Sequence, residues 1–319
     1  MQELFSGSPA QIGQAHGESL REKIAATLDV YLRQWPIPKA DLDKHTNGFV
    51  RALDKYAPHL LDEMIGISQG SNLSFGHIVA LNCRTELFGL TPLLECTSVG
   101  LYDGRATWLA QNWDWLNTLR GLTAVVEVRP QTSPRMLMLI EAGMVGKIGL
   151  NEAGIGVGLN FLNSARVARD AIPVHVFNRI VLEQSSFDTA YELAQGLPRA
   201  ASCNVMLGSP GRVCSIERHE IVDVIEPVEG MVTHTNSYRG QFCERQDLFE
   251  RELRLLQKKN PSSPRDNIIT SLGIGNVIAP VVPEREDIET VHTILMNLEN
   301  RELYISDGAK NSEFKKYSL

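Results

Sequence analysis

A change of hydrophobic period at Cys96 constrains this chain more than any other feature. Before it, Ser8-Pro9 reads as an N-cap followed by proline at the first helical position, and Ile12, His16, Leu20, Ile24, Leu28 and Leu32 then recur every fourth residue. That spacing predicts one long amphipathic helix. More helix is expected through Leu60 to Ile67 and from Ser74 to about Leu87. After Cys96 the pattern becomes short strand-like runs: Thr97 to Tyr102, Thr107 to Asn112, Leu122 to Val128, Met136 to Ile140, Lys147 to Leu150 and Ile155 to Leu162. Helical periodicity resumes at Val174 to Glu183 and Ser186 to Gln195. Strands follow at Asn204 to Leu207, Val213 to Glu217, Ile221 to Ile225 and Met231 to His234. A charged helix over Arg245 to Lys259 and a closing strand pair, Val291 to Leu298 with Leu303 to Ser306, complete the chain. Helices and strands that come in blocks point to a layered α+β architecture, with helices covering antiparallel sheets.

No repeat, low-complexity tract or linker divides the 319 residues, so a single domain over 1–319 is expected. Lys and Arg number 31 against 38 Asp and Glu, a net charge of −7 with no basic stripe, which argues against a nucleic-acid partner. No run of about 18 apolar residues offers a membrane span. The first residues carry no charged n-region or apolar h-region of a signal peptide, so a cytoplasmic location is expected. Five cysteines, odd in number and without a CxxC pair, fit reduced thiols.

Familiar site motifs fail on inspection. Gly154-Ile155-Gly156-Val157-Gly158 lacks the dinucleotide spacing and leads into a strand, while Gly143 to Lys147 is too short for a phosphate loop and is followed by Ile148. The eight histidines form no HExxH and no zinc-finger spacing, so neither a metal nor a cofactor is expected. His16 is expected to pack rather than ligate. Leu94-Glu95-Cys96-Thr97-Ser98 and Gln111-Asn112-Trp113-Asp114-Trp115 are more informative. If Asp103-Gly104 makes a two-residue hairpin turn, Cys96 faces Gln111 and the Asn-Trp-Asp segment arrives beside the thiol. A bulge would change which of Asn112 and Asp114 points the same way.

Five segments in order carry a family resemblance: Gly7-Ser8-Pro9-Ala10-Gln11-Ile12-Gly13 with His16-Gly17; Cys83-Arg84-Thr85-Glu86; Cys96-Thr97-Ser98; Gln111-Asn112-Trp113-Asp114; and His234-Thr235-Asn236. Together, over residue 7 to about 308, they resemble the acyl-coenzyme A:6-aminopenicillanic acid acyltransferase family of self-processing N-terminal-nucleophile hydrolases. The resemblance implies a four-layer αββα sandwich of two stacked antiparallel sheets between helical layers. It also implies self-cleavage before Cys96, giving a mostly helical segment 1–95 and a catalytic segment 96–319 that stay associated. Glu95 stands where the family often has glycine.

In such a family Cys96 is the nucleophile, and its freed α-amine, with a reference pKa of ~7.7 to 8.0, serves as base to its own thiol at ~8.5. Asp114 matches the aspartate that orients that amine, and Asn236 matches the asparagine that donates to the oxyanion. Arg301 lies where the family carries a late site arginine, but Asn300-Arg301 equally reads as a hairpin tip. Arg84 and Glu86 are expected to form a buried ion pair supporting the loop before the cut. The implied partners are small N-acyl amides or acyl donors, acyl-coenzyme A among them, with no nucleic acid and no membrane. The rival readings are an uncut scaffold that binds without turnover and a histidine-dependent cysteine hydrolase, which lacks its signature here.

Overall fold

The computed structural model describes residues 2–88, 96–162, 166–241, 243–274, 287–308 and 313–319. Chain order begins with strand β1 (Gln2–Gly7) and six helices: α1 (Pro9–Ser19), α2 (Arg21–Gln34), α3 (Leu42–Tyr56), α4 (Pro58–Ser71), α5 (Phe75–Asn82) and α6 (Arg84–Leu87). Six strands follow, β2 (Thr97–Tyr102), β3 (Thr107–Leu116), β4 (Thr123–Pro130), β5 (Met136–Glu141), β6 (Ile148–Asn151) and β7 (Gly156–Phe161). Helices α7 (Val174–Leu182) and α8 (Phe187–Gly196) precede β8 (Cys203–Ser209), β9 (Arg212–Arg218), β10 (Val222–Ile225) and β11 (Met231–His234). Helices α9 (Glu244–Lys259) and α10 (Pro264–Leu272) and strands β12 (Ile288–Asn297), β13 (Glu302–Asp307) and β14 (Lys315–Ser318) end the chain.

The strands form two sheets, one in the order β1-β4-β5-β6-β7-β8-β9-β10 and one in the order β11-β2-β3-β12-β13-β14. Every pairing is antiparallel except that of β1 with β4. β2 and β3 of the smaller sheet pack across β7, β8 and β9 of the larger one. Helices α7 and α8 cover the larger sheet, and α9 and α10 cover the smaller, burying Val99, Leu101, Ala110 and Leu295 against Phe249, Leu253, Ile268 and Leu272. The result is the expected four-layer αββα sandwich.

The expected long first helix is two helices. Ser8 and Gln11 build a reciprocal capping box, in which Gln11 N–H donates to Ser8 Oγ at 3.4 Å and Ser8 N–H to Gln11 Oε1 at 2.9 Å. At Leu20 the backbone leaves helical geometry (φ −108°, ψ 16°), which turns α2 onto a new axis while keeping Leu20, Ile24 and Leu28 buried. Close approach of α1 to α4 depends on glycine: a Cβ at Gly13 would sit 1.9 Å from the Glu63 carbonyl oxygen, and one at Gly66 would sit 2.3 Å from that of Ala10. Strand β1 was not foreseen, because its stability comes from pairing with β4 rather than from its own pattern. His16 packs as expected: it stacks on Phe5 at 5.2 Å and accepts from Gly143 N–H at 3.1 Å.

The hairpin of β2 and β3 differs in register from the expected one. Its innermost ladder pair is Tyr102 with Thr107, and Asp103 N–H still donates to the Ala106 carbonyl at 3.3 Å, so the turn centres on Gly104-Arg105 instead of Asp103-Gly104. Asp103 Oδ1 caps that turn by accepting from the amides of Arg105 (2.9 Å) and Ala106 (2.8 Å). The two-residue slip pairs Thr97, the first residue of β2, with Asn112 instead of Ala110, and it leaves the side-chain parity unchanged.

Candidate active site

Parity in β3 decides which groups share the space around Cys96. Gln111, Trp113 and Trp115 turn toward the larger sheet and wall a cavity there with Cys96, Lys147, Phe161 and His175. Asn112 and Asp114 turn the other way, toward α9 and α10, where Asn112 Nδ2 donates to the Leu272 carbonyl at 2.9 Å. Asp114 accepts from Arg245 Nη2 at 2.8 Å and from Thr290 Oγ1 at 2.6 Å. Its backbone carbonyl is the group that meets the Cys96 thiol, at 3.9 Å.

Cys96 stands at the head of β2, held by the opposite sheet. Asn160 of β7 donates from Nδ2 to the Cys96 carbonyl at 3.2 Å, and Ser98 Oγ (2.6 Å) and Asn204 Nδ2 (3.1 Å) donate to its Oδ1 and fix its amide. Burial, and then the Asp114 carboxylate, push the thiol up to about 11, so it is a protonated thiol at neutral pH.

Behind the cavity lies a charge cluster. Glu141, at the end of β5, accepts from Arg84 Nε at 3.0 Å and Nη2 at 2.7 Å, from Lys147 Nζ and from the Tyr31 hydroxyl. Burial alone would raise Glu141, but Arg84 and Lys147 together bring it to about 2. Burial lowers Lys147 to about 7, Glu141 opposing and Arg84 assisting. The Lys147 ammonium also lies 3.4 Å from the Trp113 ring centroid.

The structure therefore brings Cys96 and Asp114 together, with the Asp114 carboxylate on the helical face of the strand. Asn236 stands just past β11, where its Nδ2 donates to the Phe161 carbonyl at 2.5 Å, which ties it to the residue whose side chain walls the cavity. Arg301 is not brought to the cysteine. It occupies the tip between β12 and β13 with φ 55°, donating to the carbonyls of Glu152 (3.1 Å) and Glu299 (2.5 Å). Arg84 pairs with Glu141 instead of the expected Glu86, which accepts from Val174 N–H at 2.8 Å at the start of α7. Glu95, and with it the expected cleavage point, lies outside the described residues.

The acyl-coenzyme A:6-aminopenicillanic acid acyltransferase family matches residues 102–311. The chain belongs to that family. It is 28% identical over 240 residues to the 40 kDa form of acyl-coenzyme A:6-aminopenicillanic-acid-acyltransferase of Emericella nidulans, covering 72% of this chain and 67% of that protein. Among solved structures it is similar to a mutant of conjugated bile acid hydrolase from Clostridium perfringens (TM-score 0.47, 15% identity, 70% of this chain and 92% of that one). It is also similar to penicillin V acylase from Agrobacterium tumefaciens (TM-score 0.45, 14% identity, 70% and 86%).

Membership places the chain in a family of acyltransferases. The matched span takes in Asp114, Lys147, Asn236 and Arg301 and begins just past Cys96. Lys147, Glu141 and Asn160 were not singled out in the sequence, although a lysine and an asparagine inside otherwise apolar strand runs are a readable sign of buried polar work. Among the described residues one group could hold a metal, Glu217, His219 and Asp223, whose ligand atoms lie within 4.8 Å of one another. Glu217 Oε1 already accepts from Arg239 N–H at 2.5 Å and meets His234 Nε2 at 2.8 Å, while its Oε2 faces His219 Nε2 at 3.8 Å. No helix among the described residues is long and apolar enough to cross a membrane, and all five cysteines are free thiols.

Proposed function

We propose that the chain cuts itself between Glu95 and Cys96 and then works as an N-terminal cysteine amidohydrolase or acyltransferase on small N-acyl compounds. One observation carries this reading: Cys96 heads a central strand with its thiol in a walled cavity between the sheets, its carbonyl held by Asn160. In the uncut chain the nitrogen of Cys96 is an amide. Once freed as an α-amine, with an ordinary pKa of ~7.7 to 8.0, it becomes the base nearest the thiol.

In turnover the amine takes the thiol proton, and sulfur attacks the acyl carbon of the substrate. The C–N bond breaks as the proton passes to the leaving nitrogen, and an acyl-Cys96 thioester remains. Water or a second amine then attacks it, so hydrolysis and transfer are two fates of one intermediate. Asp114 serves as a positioning residue at the cysteine, its carboxylate held by Arg245 and Thr290. Asn236 donates to the tetrahedral oxyanion in place of its bond to Phe161, an exchange worth roughly 3 to 4 kcal/mol in the transition state. Arg301 has no part in this reading, since it bonds elsewhere. Five free thiols fit a reducing, cytoplasmic compartment.

Intact mass and N-terminal sequencing of the purified protein test the proposal. Two associated pieces, 1–95 and 96–319, are expected, a single chain for Cys96→Ala, and an acyl mass on the larger piece when turnover is quenched. Turnover by a chain that remains full length would refute the freed-amine mechanism. A full-length chain that binds but never turns over would make it a scaffold.

A further inference from the structure

Self-processing, if Cys96 is its nucleophile, meets a difficulty that later turnover does not. The α-amine that would deprotonate the thiol does not exist until the bond is cut. Some other group must accept that proton first, and the walls of the cavity hold few candidates.

Among the described residues four ionisable side chains besides Cys96 itself belong to residues lining the cavity: Arg84, Asp114, Lys147 and His175. Arg84 keeps its proton at any working pH and spends two donors on Glu141. Asp114 turns its carboxylate out of the cavity toward Arg245 and Thr290. His175 meets Thr85 Oγ1 at 3.2 Å, and burial lowers it well below the ordinary histidine range, which makes it a weaker base than Lys147. Lys147 remains.

The charges around Lys147 explain why it can serve. Glu141 supplies one negative charge to two cations, Arg84 and Lys147, all three buried, so the cluster carries one positive charge in excess. Neutralising that excess means releasing a proton, and only the lysine can release one. Other charged or titratable groups near Lys147 are Tyr31 from α2, bonded to Glu141, His175 from α7, and His292 from β12, stacked on the Trp113 ring at 5.9 Å. None of them adds a negative charge at neutral pH. Burial with Arg84 nearby therefore lowers Lys147 to about 7, a value matched to proton transfer near neutrality.

We infer that Lys147 is the base that takes the Cys96 thiol proton while the chain is uncut. The inference rests on the self-processing reading above. Neutral Lys147 accepts the proton, and the thiolate attacks the Glu95 carbonyl carbon. The Glu95–Cys96 C–N bond then breaks as the lysine returns the proton to the departing nitrogen, leaving a Glu95 thioester on Sγ. Water hydrolyses it, which gives the Glu95 carboxylate, the free thiol and the α-amine that serves from then on.

The test follows the cutting of freshly made full-length chains by intact mass, as a function of pH, for wild type, Lys147→Met and Lys147→Arg, with Cys96→Ala as the uncut reference. Wild-type cutting should fall about tenfold per pH unit below pH about 7 and level off above it. Both lysine variants should cut at least roughly 100-fold more slowly, methionine because it has no base and arginine because it does not give up its proton. Normal cutting by Lys147→Arg would show that charge alone is needed, and normal cutting by Lys147→Met would show that neither is; each would overturn the inference while leaving self-processing intact. A wild-type chain that never cuts would overturn both. Should the variants fail to fold, a wild-type profile without an inflection between about pH 6 and 8 would be decisive against Lys147.

Discussion

Glu141→Gln is the substitution that most directly probes how the cavity is held together. In the native chain its carboxylate, fully buried, accepts two bonds from Arg84 and one each from Lys147 and Tyr31. Glutamine keeps the shape but removes the only negative charge in the cluster, leaving two buried cations facing each other. Breaking one side of a buried ion pair costs about 3–5 kcal/mol. Lys147 can relieve part of this by shedding its proton, so a loss near 3 kcal/mol is expected, or a fall in Tm of about 5 °C. Urea unfolding at pH 7.5 in a Cys96→Ala background measures it on a single uncut chain. Because Glu141 is lowered to about 2 when folded, its contribution is complete above its ordinary value near 4.5 and fades as pH falls toward 2, so the two proteins should converge in acid. Adding Lys147→Met to Glu141→Gln should restore stability relative to the sum of the single losses. A loss below about 1 kcal/mol, or strict additivity in the double variant, would refute the charge-balance account.

Two further outcomes follow from the geometry. Asn236→Ala, once shown to be processed, should lower kcat roughly 100-fold or more with little change in KM, as steady-state kinetics would show, because its amide acts in the transition state. Gly66→Ala should cost about 2 kcal/mol or more by the same urea assay, since its Cβ would press on the Ala10 carbonyl at 2.3 Å, a backbone atom that cannot swing aside.

Much of this fold was legible from residue 97 onward because strands of a two-layer sandwich announce themselves by short apolar runs between turn residues. Thr97 to Tyr102 and Met231 to His234 have the expected limits, and most others differ by one or two residues at an end. The hairpin at Asp103-Gly104 misled because the dipeptide signals a turn centred on itself, whereas the Asp103 side chain captures the amides of Arg105 and Ala106 and moves the turn one residue on, to Gly104-Arg105. The single long first helix misled for a related reason. Fourfold spacing persists through Leu20, and only tertiary packing of α1 on α4 reveals the break. At the site, Cys96 and Asp114 were visible through family resemblance, but which face Asp114 took was not, since parity depends on register. Lys147 stayed hidden because its meaning lies in Glu141 and Arg84, residues 6 and 63 positions away that only the fold assembles.

Strand β1 belongs to the piece before the proposed cut, yet it completes the edge of a sheet whose other seven strands all come after it. Tyr31 and Arg84 likewise reach from the earlier piece into the charge cluster of the later one. Cutting between Glu95 and Cys96 would thus change the molecularity of folding without changing the contacts. An intact chain assembles this sheet as a first-order event, at a rate indifferent to concentration. The same sheet, once its halves had been separated by denaturant, could return only by a second-order encounter, and at the low concentrations of a cell that encounter competes with loss of either half. The cut would make the active fold something reached once, from the intact chain, and not easily regained.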